Sequence, residues 1–134
     1  MRYALVAALL FVTAACGSYT FPGGGSPSPG TGLVSGRVLA YPCAPVERAD
    51  SPCAGRSVGG VEIDYVTGTT VAARTVTDSN GNYSVRLEPG TYTVRFNNYM
   101  RVMSGPTKLT VAAGSSIVAN YLLDSGIRAV VPQQ

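Results

Sequence analysis

Between residues 75 and 96 the chain alternates apolar and polar positions in two runs separated by a turn. Tyr83, Val85 and Leu87 fall on one side of the first run, with Ser84, Arg86 and Glu88 on the other. After Pro89-Gly90 the pattern restarts, with Tyr92, Val94 and Phe96 against Thr93, Arg95 and Asn97. Successive side chains of a strand point to opposite faces, so period-two alternation between turn residues predicts two half-buried strands. The same reading extends in both directions. Residues 33–41 predict a first strand, and Val61, Ile63 and Tyr65 alternate with Glu62 and Asp64 in another. Gly68 separates that strand from one over 70–77. Leu109 with Val111, then Ile117, Ala119, Tyr121 and Leu123, predict two more around Ala113-Gly114-Ser115-Ser116. A last apolar run covers 127–131 and stops at Pro132. Seven or eight short strands, with no helical periodicity in this region, predict an all-β antiparallel sandwich or barrel.

The turns favour the sandwich. Asn80-Gly81 suits a tight reversal, because both residues tolerate positive φ. Pro89-Gly90 suits a type I or II turn, whose twist does not match that of a tight hairpin. The chain is therefore expected to cross at Pro89-Gly90 from one sheet to the facing one.

The first residues have a different character. Arg2 is followed by an apolar run over 4–12 and then by Ala14, Ala15 and Cys16. The run is too short to span a bilayer as a permanent helix and reads as a secretory signal. Val12-Thr13-Ala14-Ala15-Cys16 resembles the lipobox of bacterial lipoproteins, with threonine where leucine is usual. The resemblance implies a signal peptide over 1–15, cleavage before Cys16, and lipid (a thioether on the sulfur, with palmitate) at Cys16. It places the protein outside the cytoplasm, anchored to a bacterial membrane. The alternative is an ordinary secretion signal cut nearby, with Cys16 a spare thiol. Residues 16–32 are then an uncharged tether dominated by Gly, Pro and Ser, which cannot bury enough apolar surface to fold. Such a chain averages about 20 Å end to end and reaches roughly 50 Å when straight. The folded domain is expected over 33–131.

Composition narrows the chemistry. There is no histidine, which removes the commonest general base and the commonest zinc ligand together. Without Arg2, nine basic side chains face seven acidic ones, scattered singly, so no footprint for nucleic acid is present. With Cys16 assigned to lipid, Cys43 and Cys53 are left as a pair in an oxidising compartment and are expected to form a disulfide. Closing that loop would contribute about 2.5–3 kcal/mol in the chain-entropy model. Two thiols binding metal is the other reading, and two ligands without histidine make a poor zinc site.

Other groups are weaker candidates. Asp78-Ser79-Asn80-Gly81-Asn82 has the oxygen ligands and glycine of a calcium loop but lacks the closing acidic residue; a turn explains it as well. Glu62 and Asp64 share one face of a strand and could serve as acid and base, or could simply line a solvated face. Lys108, the sole lysine, has no Ser-x-x-Lys partner. Tyr99-Met100-Arg101-Val102-Met103 holds typical interface residues, although Met100 and Val102 continue the parity of Tyr92, Val94 and Phe96 and so also fit a core strand.

Several segments together resemble the carboxypeptidase regulatory-like domains, a group of transthyretin-like (prealbumin-like) sandwiches. They are Ser35-Gly36-Arg37-Val38, Gly60-Val61-Glu62-Ile63, the run 77–85, the run 87–94, and 109–114. The resemblance covers most of residues 34–123 and implies a seven- to eight-stranded β-sandwich of transthyretin-like or immunoglobulin-like Greek-key architecture. It also implies a non-catalytic module, without cofactor or metal. The expected function is a non-enzymatic, lipid-anchored interaction or structural protein of the cell envelope, with an envelope protein or glycan as partner. A carbohydrate-binding module is the alternative, and a carboxylate-dependent hydrolase a more distant one.

Overall fold

The structure, a computed structural model, describes residues 30–128. Ten strands and no helix lie among them: β1 (Gly32–Tyr41), β2 (Arg56–Ser57), β3 (Glu62–Thr67), β4 (Thr70–Val76), β5 (Asn82–Leu87), β6 (Gly90–Phe96), β7 (Arg101–Ser104), β8 (Lys108–Val111), β9 (Ser116–Val118) and β10 (Tyr121–Asp124). The expected signal segment, Cys16 and the expected tether up to residue 29 lie outside the described residues. So does most of the last apolar run, of which Ile127 and Arg128 are described and are not in a strand.

Two sheets pack as a sandwich. One has the order β4-β3-β6-β8 and is antiparallel throughout. The other is six-stranded and built around β1. Residues 32–37 of β1 pair with β5 on one side, and residues 33–35 with β9 on the other. Further along, β1 pairs with β10 and β2, and β10 carries β7 at its far side. The alternation in the sequence fills the space between the sheets. Val34, Val38, Tyr83, Leu87, Tyr121 and Leu123 face Ile63, Tyr65, Tyr92, Val94, Leu109 and Val111, all buried in one cluster. Phe96 meets Tyr121 edge to face, with centroids 4.9 Å apart, a geometry aromatic pairs prefer.

Two expectations change. The six-stranded sheet is mixed, because β9 and β10 run parallel to β1. Short turns favour antiparallel neighbours, but strands far apart in the chain are free of that constraint. The strand count is also higher: the two-residue β2 is added, residues 101–104 form a strand of their own instead of prolonging β6, and the strand expected through Ile117, Ala119, Tyr121 and Leu123 divides into β9 and β10, which pair with different halves of β1. The crossing at Pro89-Gly90 is observed: β5 belongs to one sheet and β6 to the other. The Asn80-Gly81 turn is not the hairpin turn its residues suggest: β4 and β5 do not pair, and the chain crosses there from one sheet to the other. Gly81 is required there twice over, by φ of +77° and by the Val38 carbonyl oxygen that a Cβ would overlap.

Gly36 sits close to where β1 exchanges partners. A Cβ there would overlap the carbonyl oxygen of Ala119, which also accepts the Tyr83 hydroxyl at 2.5 Å. Gly36→Ala should therefore cost about 1–3 kcal/mol through overpacking. Urea unfolding would show a lower midpoint at unchanged slope; an unchanged midpoint would contradict the close approach.

Candidate functional site

Glu62 and Asp64 project from the outer face of β3, opposite Ile63 and Tyr65. The solvated face expected for them holds only in part, because Asp64 is 1% exposed. Arg74 of β4 and Arg95 of β6 stand in register with it on the two neighbouring strands. Arg74 donates from Nε to Asp64 Oδ1 at 2.6 Å and from Nη2 to Oδ2 at 3.1 Å. Asn97 donates to Asp64 Oδ2 at 2.7 Å and to Glu62 Oε1 at 2.8 Å. Arg74 Nε also lies 3.2 Å from Glu62 Oε1. The Arg74 hydrogen bonds hold the Asp64 carboxyl below its ordinary value against the opposing effect of burial. A carboxyl that must donate a proton near neutrality needs the reverse shift. The cluster ties three strands together, and both carboxylates are engaged by one guanidinium.

The Asp78–Asn82 turn closes on itself. Asp78 Oδ1 accepts the backbone N–H groups of Asn80 and Asn82, each at 2.9 Å, as an Asx-turn does. A hollow of about 310 Å³ adjoins it, lined by Thr75, Val76, Asp78, Asn82, Tyr83 and Ser84. Its tyrosine is no platform: Tyr83 is buried and bonded to Ala119 through its hydroxyl. Lys108 is exposed on the edge strand β8, opposite Thr93.

Cys43 and Cys53 have their sulfurs at bonding distance, with Cα atoms 6.1 Å apart. Their segment folds over the outer face of the mixed sheet, where Gly55 lies against Leu39 of β1 and Leu122 of β10. Glu47 Oε1 closes the loop by accepting the N–H groups of Cys43 at 2.7 Å and Ala44 at 3.3 Å. Cys43, Glu47 and Cys53 are the one group of three metal-ligand types brought together among the described residues. With the sulfurs joined, neither is available as a thiolate ligand.

The strand β7 presents a different kind of surface. It pairs with β10 on one side and has no partner strand on the other among the described residues. Met100 and Val102 are half-buried against the core, as their parity predicts. The opposite parity is open: Tyr99 is 83% and Met103 52% exposed, and the Arg101 side chain 85%. Leu123 stands opposite Val102 but Leu122 opposite Ser104, so Met103 is the extra residue of a bulge. Beside Arg101, Asp124 is held bidentately by Arg128 at 3.0 and 2.6 Å. That pairing, with the Gly126 N–H, lowers the Asp124 carboxyl to about 2. The sequence pointed to residues 99–103; the bulge and the Asp124–Arg128 pair carried no signal of their own.

No protein-family model and no curated protein matches this chain.

Two outcomes follow from the buried charges and the staple. The folded Asp64 carboxyl titrates below its unfolded value, so its stabilisation is complete above about 3.8 and is lost as pH falls through the folded value. Asp64→Asn should lower the unfolding midpoint at pH 7, and the gap to wild type should narrow in acid; a constant gap from pH 7 to 2 would contradict the pairing. Replacing Cys43 and Cys53 with serine should cost about 2.5–3 kcal/mol in unfolding while the β-sheet circular dichroism persists. Full thiol labelling of the unreduced protein would contradict the bond.

Proposed function

We propose that this chain is a lipid-anchored protein of the bacterial cell envelope whose sandwich is a non-enzymatic interaction module. The observation that carries this is the open edge of β7, with Tyr99, Arg101 and Met103 exposed beside it. Unpaired backbone groups at a sheet edge accept an added strand, and aromatic, methionine and arginine side chains are enriched where proteins meet. Anchoring rests on the approach to Cys16 and on the uncharged tether that follows it. The sandwich is read as a carboxypeptidase regulatory-like, transthyretin-like domain. An antiparallel sheet facing a mixed one, with connections that repeatedly cross between them, supports that reading.

The other readings have less support. Glycan platforms want exposed aromatic faces, and among the described tyrosines Tyr99 alone is exposed. Hydrolysis by Glu62 and Asp64 would need one of them released from Arg74.

A photo-crosslinking residue at position 99 or 103, in the protein in its native envelope, should give a discrete adduct. The same residue at position 118 should give none, although Val118 is 71% exposed on β9. The mature chain should begin at Cys16 bearing lipid, by mass spectrometry. Equal labelling from all three positions, or none from 99 and 103, would contradict edge docking; an unmodified Cys16 would contradict anchoring alone.

A further inference from the structure

Resting on the docking reading above, we infer that the β7 edge takes an extended peptide segment in which a carboxylate residue lies beside apolar ones. The charge balance at the edge is the first ground. Two guanidiniums, Arg101 and Arg128, share the single carboxylate of Asp124. Arg128 holds it with two hydrogen bonds, whereas Arg101 approaches no nearer than 3.9 Å. Gly126 N–H adds a third donor to the same carboxylate at 3.0 Å. Arg101 is therefore the looser partner of a carboxylate that Arg128 already engages, and among the described residues no other carboxylate forms an ion pair with it.

The second ground is what surrounds that charge. Gly126 lies near Cε2 of Tyr99, which places the edge of that ring next to the Asp124–Arg128 turn. Met103 stands out at the bulge on the other side of Arg101. Arginine between two exposed apolar groups matches an acidic residue flanked by apolar ones.

The third ground is the strand itself. Four residues with a bulge cannot extend a long regular ladder, and bulges at edges discourage indiscriminate pairing. A few backbone bonds along Arg101 and Val102 must be supplemented by side-chain contacts, so the occupant is selected by its side chains. A second copy of this chain is a poorer fit. Pairing β7 with itself about a two-fold axis would bring two loosely paired arginines into one short ladder.

The probe is a capped pentapeptide, Thr-Val-Asp-Val-Thr, with versions carrying Asn or Lys at the centre, titrated into the mature full-length protein and followed by amide NMR shifts. The Asp peptide should shift the amides of Arg101–Ser104 and bind about three- to fivefold more tightly than the Asn peptide, the contribution of one exposed ion pair. The Lys peptide should bind most weakly. Arg101→Gln should erase the preference for Asp over Asn while leaving the Asn peptide unaffected, and added salt should shrink the preference. Equal binding of the Asp and Asn peptides at β7 would overturn the acidic preference and leave edge docking standing. No shift at β7 with any peptide would overturn both. A concentration-dependent dimer through β7 would assign the edge to a second copy and overturn the inference.

Discussion

The sandwich depends on one strand being paired with four others along its length. β1 bonds to β5 and β9 in its first half and to β2 and β10 in its second. Strand axes in a sheet stand about 4.8 Å apart, and the exchange of partners brings a carbonyl in closer still. It is possible only because Gly36 presents no Cβ to the oxygen of Ala119. That oxygen then anchors Tyr83, whose ring joins Tyr121 and, through it, Phe96. Backbone approach, hydroxyl and aromatic packing are thus coupled at one point, and the core of both sheets is registered from there.

The same arrangement leaves an edge. Because the chain crosses between sheets at most of its turns, few strands are followed by an in-sheet partner. β7 is reached by leaving the four-stranded sheet after β6 and is left again for β8, so nothing in the chain returns to cover its outer side among the described residues. Its inward parity, Met100 and Val102, holds it to the core, and the other parity is free for recognition. The fold places Tyr99, Arg101 and Met103 at one border of the sandwich, and on the proposed reading the uncharged run 16–32 would supply reach from a membrane.

How much of this was legible follows from how local each signal is. Tyr83, Val85 and Leu87 announce a strand because alternation is written in adjacent residues. The crossing at Pro89-Gly90 was legible because the turn chemistry is local as well. The burial of Asp64 was not, since its partners, Arg74 on β4 and Asn97 just past the end of β6, come from other parts of the chain and depend on register. Nor was the independence of β7: the parity of Tyr92 through Val102 is interrupted at Asn98 alone, and pairing with Leu123 and Asp124 is what separates the two strands. Cysteine count implied the pairing of Cys43 with Cys53, but not that their loop would lie over Leu39 and Leu122.

Amide hydrogen exchange in the native envelope, compared with the purified protein, tests edge docking most directly. An added strand must protect backbone groups that the sandwich leaves open, whatever the identity of the partner. The account predicts slower exchange within Arg101–Ser104 in the envelope, with the edge strands β4 and β8 unchanged. Unaltered exchange at β7, or protection appearing at β4 or β8 instead, would contradict it.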